Sequence, residues 1–221
     1  MSPYVPPRLA DVSFAPPGIL SGANGVPAEA TLIYPRASTR LAARASRLNV
    51  LAGEPVEIVG RLHGSPASAA ARQTVVLEAR GRHSWRPLAA STTGAAGRFE
   101  LRYAARSLGT TLLRVAFRGD STAKPSTRRV GALNSFRAVE ASWYGGGGTL
   151  ACGGELTSST LGVANRTLPC GTMVTLRYGS HSVRVPVIDR GPWVYSREYD
   201  LTEATKRALG FGETGEIWST R

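Results

Sequence analysis

The chain has 221 residues and a formal charge of +12, with 42% apolar residues, 25 glycines and 14 prolines. That length suits one large or two small domains, and the glycine and proline content lies far below that of a collagen or low-complexity chain. No apolar run reaches the roughly 18 residues of a membrane-spanning helix, and no basic segment followed by an apolar stretch opens the chain, so either an export signal lies upstream of this sequence or the export route is not readable from it.

The charge is uneven. Residues 1–136 hold 18 basic and 7 acidic side chains, whereas residues 137–221 hold 9 and 8. A basic half of this kind favours polyanionic surroundings: nucleic acid, anionic lipid headgroups or acidic wall polymers. Specific nucleic-acid recognition is not expected, because there is no basic helix, no zinc-finger spacing and no aromatic pair on a strand for base stacking. The two cysteines, Cys152 and Cys170, lack the two-residue spacing of a metal or redox pair, and His63, His83 and His181 are scattered. No metal is therefore expected. The cysteines are either joined, which closes the 17 residues between them and implies an oxidising compartment, or two free buried thiols.

Residues 1–37 contain seven prolines and read as an extended tail or linker. Over 38–130, Val56–Leu62, Thr74–Ala79, Arg98–Tyr103 and Thr111–Phe117 are short β-branched runs between Gly, Ser and Pro punctuation, which predicts an all-β sandwich. Gln73–Leu77, Trp85, Gly97-Arg98-Phe99 and Phe117-Arg118-Gly119-Asp120 resemble the bacterial immunoglobulin-like repeats of secreted surface proteins. That resemblance implies a spacer or adhesive module without chemistry, in which Trp85 is a cross-strand packing residue. Alternation stops at 131–137, which is expected to be a linker into a second domain over 138–221.

In that second domain Val139–Tyr144 reads as a strand ahead of the run Gly145–Gly148. The run does not continue into the Gly-Lys-Ser/Thr of a phosphate loop, so it is expected to turn tightly or to let a ligand approach the backbone. Met173–Tyr178 and Ser182–Ile188 form a predicted hairpin around Gly179-Ser180, ended by Asp189-Arg190-Gly191-Pro192. Glu203–Leu209 reads as a short helix capped by Thr202 or Asp200 and stopped by Gly210, and Gly215–Ser219 as a last strand.

Four pieces in order carry a second resemblance: Ala141-Ser142-Trp143-Tyr144-Gly145; Ala164-Asn165-Arg166-Thr167-Leu168-Pro169-Cys170-Gly171-Thr172; Val187-Ile188-Asp189-Arg190-Gly191-Pro192; and Arg197-Glu198-Tyr199-Asp200-Leu201-Thr202. Together they resemble the RlpA-like (rare lipoprotein A) double-psi β-barrel. The resemblance implies six strands and a surface groove for glycan. Such barrels occur in septal lytic transglycosylases and in expansins, which loosen walls without cutting them. It also implies a Cys152–Cys170 disulfide between the early loop and the Leu-Pro-Cys-Gly turn.

The expected site follows. Asp189 falls on the family's acid/base, with Asp200 as a supporting carboxylate or, alternatively, a helix cap. Ser142 and Tyr144 fall on groove-lining positions, although packing competes for Tyr144. Arg190 and Trp193 are expected beside the glycan, and Trp193 and Tyr195 either stack on a sugar or pack the barrel. Asn165 stands where transglycosylase members carry a histidine, and it can hydrogen-bond a hydroxyl but not carry a proton. A single carboxyl suffices for lytic cleavage, because the muramyl 6-hydroxyl attacks intramolecularly and no external water is needed. The reading is thus an extracytoplasmic, secreted or wall-associated protein acting on peptidoglycan, its basic half touching anionic wall polymers, without metal or organic cofactor. The rivals are a non-catalytic, expansin-like binder and a protein-binding barrel of the protease-inhibitor type.

Overall fold

The structure, a computed structural model, describes residues 35–221. Most of the proline-rich segment expected as a tail lies outside the described residues, and Ala37 already bridges Ala123. The strands are β1 (Ser38–Ala45), β2 (Asn49–Leu51), β3 (Pro55–Ser65), β4 (Thr74–Arg80), β5 (Trp85–Thr92), β6 (Arg98–Ala104), β7 (Gly109–Phe117), β8 (Ser126–Tyr144), β9 (Gly148–Thr149), β10 (Glu155–Leu156), β11 (Val163–Ala164), β12 (Met173–Tyr178), β13 (His181–Asp189), β14 (Tyr199–Thr202) and β15 (Thr214–Ser219), with one α-helix, α1 (Glu203–Leu209). The all-β class expected from the alternation is formed.

In the N-terminal part, β1-β3-β6 make one sheet, and β5-β4-β7-β8, with β2 also on β8, make another. Alternate residues of the two meet in one core: Leu41, Ile58 and Leu101 from the first, Leu77, Val115 and Leu133 from the second. β5 contains Pro87, which has no N–H for the ladder. The register against β4 shifts between Leu77 and Glu78, where Pro87 is accommodated at the irregularity. Trp85 does pack across strands, with the Arg114 guanidinium 4.2 Å from its ring centre.

The linker expected at 131–137 is not formed. Those residues lie inside β8, a 19-residue strand that changes partners without a break. It pairs with β7 up to Ser135, with β2 through Phe136, with β15 from Arg137 and with β14 from Ala141. Alternation is interrupted here because the register against β7 shifts beside Gly131, while the strand itself continues. The Gly131 φ of +142° disfavours a side chain, and a Cβ there would meet Leu48 Cδ1 at 2.5 Å. At the changeover Phe136 is buried and its ring lies 5.9 Å from that of Trp218 on β15.

The C-terminal sheet runs β14-β11-β13-β12-β15-β8, and parallel pairing of β8 with β14 closes these six strands into a barrel. Val163, Leu176, Val187, Tyr199, Leu201 and Ile217 fill it. The β12–β13 hairpin turns on Gly179-Ser180 as expected. At the helix, Thr202 and not Asp200 is the cap: its hydroxyl accepts from the Thr205 N–H at 3.3 Å, and Gly210 ends α1 with φ +64°. Asp200 is left free for other work.

Candidate active site

Strand register puts the expected site residues in one row. Ser142 on β8 pairs with Asp200 on β14, Asp200 with Ala164 on β11, and Ala164 with Asp189 at the end of β13. Neighbouring strands lie about 4.8 Å apart, so the two aspartates stand two strand spacings from each other, roughly 10 Å at the backbone. The buried Ser142 hydroxyl donates to Asp200 Oδ1.

Asp189 is half-buried, and both of its hydrogen bonds fall on one oxygen. Oδ1 accepts from the Ala151 N–H at 2.9 Å and from the Arg190 N–H at 2.8 Å. No ion pair involves it among the described residues, so neither Arg190 nor Arg197 neutralises it. Among the described residues Oδ2 accepts no well-formed hydrogen bond, although the Tyr144 hydroxyl lies close to the carboxyl. Tyr144 sits beside both acids. Its hydroxyl oxygen is buried and makes no well-formed hydrogen bond. Burial, then the charge of Asp189, the hydroxyl's contact with that carboxyl and the charge of Asp200 push its pKa well above the usual phenol value, so it stays a neutral donor.

The loops around this row are tied down. The Cys152–Cys170 disulfide forms, with Cα atoms 5.6 Å apart, and joins the turn bearing Ala151 to the 165–172 loop. Asn165 does not face a ligand as expected: it is 3% exposed and its amide is used inside the protein. Oδ1 accepts from the N–H groups of Thr167 (3.0 Å) and Leu168 (2.8 Å), and Nδ2 donates to the Glu198 carbonyl at 3.1 Å. Arg190 is likewise a tether. Its Nη1 donates to the carbonyls of Asn165 (3.1 Å) and Leu168 (2.9 Å), and Nη2 approaches Cys170 Sγ at 3.2 Å.

Trp193 and Tyr195 do not pack the barrel; they are 77% and 95% exposed. Arg166, which sequence reasoning passed over, holds their loop: Nη1 donates to the carbonyls of Pro192 at 2.6 Å and Arg197 at 2.8 Å. Its only sequence signal was its place inside the quoted 164–172 motif. Trp143 was also missed as a fixed element. Its Nε1 donates to Glu213 at 2.6 Å while Lys206 Nζ lies 3.8 Å from the ring centre and pairs with Glu213.

Residues 137–218 match the family model described as "Lytic transglycolase". With the closed six-stranded ring, this makes the C-terminal part an RlpA-like double-psi β-barrel domain. The relatives named in the same way include "Probable endolytic peptidoglycan transglycosylase RlpA" of Synechocystis sp., 38% identical over 108 residues, which are 42% of this chain and 33% of that protein. "Endolytic peptidoglycan transglycosylase RlpA" of Rickettsia bellii is 35% identical over 101 residues, 42% of this chain and 44% of that protein. The chain therefore spans less than half the length of these curated relatives. Among solved structures, the Streptomyces papain inhibitor is 23% identical with a TM-score of 0.33, covering 38% of this chain and 92% of its own.

Proposed function

We propose that this protein is an extracytoplasmic lytic transglycosylase acting on the glycan strand of peptidoglycan, with Asp189 as general acid and then general base. The observation that carries this reading is the Asp189 carboxyl itself: partly exposed, without an ion-pair partner among the described residues, its Oδ1 fixed by two backbone N–H groups and its Oδ2 without a well-formed hydrogen bond. From its protonated form, Asp189 gives its proton to the glycosidic oxygen as the bond to the muramyl C1 breaks. The resulting carboxylate takes the proton of the 6-hydroxyl as that oxygen closes on C1, so the proton is returned and no water is consumed. Asp200, oriented by Ser142, supplies negative charge facing the oxocarbenium-like centre, and Tyr144 supplies a neutral donor between the acids. Trp193 and Tyr195 offer exposed rings for the sugar faces.

The immunoglobulin-like character of the two-sheet N-terminal part belongs to the same proposal, as a spacer that runs from 38 through the first part of β8. Its basic charge favours contact with anionic wall polymers. The relatives' names and the family match support the peptidoglycan substrate and a site of action outside the cytoplasm.

Digestion of purified peptidoglycan tests the reading. The wild type should release 1,6-anhydromuramyl fragments and Asp189→Asn should release none while still pelleting with the wall. Asn165, in place of the family histidine and buried, favours a second reading: a binder that loosens the wall without cutting. Pelleting without any fragments from the wild type would establish that second reading and refute the first.

A further inference from the structure

A wide cleft lies away from Asp189. It is an open trough of about 740 Å³ in the N-terminal part, and Arg44 of β1, Arg61 of β3, Arg98 of β6 and Arg128 of β8 line it. All four are exposed. Arg61 stands directly opposite Arg98 in the β3–β6 ladder, and the Val59–Glu100 pair lies two residues along the same face. Arg44 is opposite Val59 on the other side. Directly opposed side chains share a face about 5 Å apart, and like charges so placed destabilise a sheet.

No carboxylate among the described residues pairs with them. Arg47, Arg102, Arg114 and Arg118 in the same part are each in an ion pair, but none of the four trough arginines is, among the described residues. Glu100, the one acid in the trough, is taken by Arg102 at 2.8 Å. The floor is Ala42, Val59 and Gly60, and Phe99 beneath it is only 6% exposed. There is thus no aromatic platform for a base, which single-stranded nucleic-acid grooves supply.

We infer that this trough is a second binding site, for a phosphodiester-linked wall polymer without aromatic bases. Only the polymer's location in the wall rests on the function proposed above. Two guanidinium forks facing across one ladder step suit a tetrahedral phosphate, whose two free oxygens each accept from a different fork, better than a planar carboxylate that one fork satisfies. Four such groups on four strands of an open trough follow a chain rather than enclose a single ion.

The test uses the full chain with long-chain inorganic polyphosphate as probe, at several salt concentrations. Arg61→Gln/Arg98→Gln should bind about tenfold more weakly, with a salt slope shallower by about 1 to 2. Its melting temperature should hold or rise, since an opposed like-charge pair is removed. Arg82→Gln/Arg106→Gln, which removes the same charge from exposed sites outside the trough, should stay within about twofold of the wild type. Arg44→Gln/Arg128→Gln, on two other strands, should reproduce the loss and keeps the test open if the first variant fails to fold.

Equal weakening in the Arg82/Arg106 control would overturn the site in favour of diffuse charge. Polygalacturonate binding as tightly as polyphosphate would overturn the phosphate assignment, and single-stranded DNA binding more tightly would make the trough a nucleic-acid site. Fragment release from polymer-free peptidoglycan should be unchanged in the trough variants. A chain that binds polyphosphate but cuts nothing therefore sinks only the transglycosylase, and the reverse result sinks only the trough.

Discussion

Replacing Asn165 by alanine takes three hydrogen bonds from one buried side chain: those from the N–H groups of Thr167 and Leu168, and the one to the Glu198 carbonyl. At about 1 kcal/mol net for each, the barrel loses roughly 3 kcal/mol. For a folded body of this size, that lowers the melting temperature by roughly 6–12 °C. Histidine, the residue of the resembling transglycosylases, does not repair the loss: one ring nitrogen can accept and the other donate, but two N–H groups and a carbonyl need partners. Thermal unfolding followed by circular dichroism, with wall pelleting at 20 °C below each midpoint, separates a structural role from a ligand contact. Asn165→Ala should melt early yet still pelletise with wall while folded. An unchanged midpoint together with lost pelleting would refute the reasoning and return Asn165 to the groove.

Reduction of the Cys152–Cys170 bond, or Cys152→Ala/Cys170→Ala, should cost about 3 kcal/mol in the chain-entropy view, seen as a lower urea midpoint; an unmoved midpoint would contradict it. Tyr144→Phe removes a buried hydroxyl that has no good partner, so stability should hold or rise by about 1 kcal/mol while fragment release falls; a clear drop in stability would mean that the hydroxyl is bonded after all. Asp120 is lowered from 3.8 to about 2, first by the Thr122 hydroxyl and then by the N–H groups of Thr122 and Ala123. Because its folded pKa is the lower one, its stabilisation is present above that carboxyl's unfolded pKa and fades as pH falls toward about 2. The gap in urea midpoint between wild type and Asp120→Asn should therefore be flat at neutral pH and close across that acidic window, and a gap that persists at the acidic end would count against the assignment.

The barrel as a whole was implied by the resemblance, whereas its hairpin, its short helix and its strand ends could be read from the residues because their turns announce themselves. Gly179-Ser180, Asp189-Arg190-Gly191-Pro192 and the Thr202 cap each fix a local geometry that tertiary packing then accepts. Register did the rest, bringing Asp189, Asp200 and Ser142 into one row. β1 and β5 gave little signal: one has Leu41 as its single bulky apolar residue among Ser, Thr, Ala and Arg, and the other carries Pro87. Asn165, Arg190 and Arg166 were harder for another reason. Their partners are main-chain N–H and C=O groups, which every residue possesses and no sequence pattern distinguishes. A polar side chain in a motif therefore reads as a ligand contact until the loops around it have been placed.

β8 ties the mechanics of the molecule together. Because one extended backbone stiffens both hydrophobic cores, with the Phe136 and Trp218 rings in tilted contact at the handover, β8 offers no break between them to take up strain. A tug on a tethered N-terminal part would run along this beam as tension and load the ladders to β15 and β14 in shear, arriving at Ser142 and Asp200 without slack.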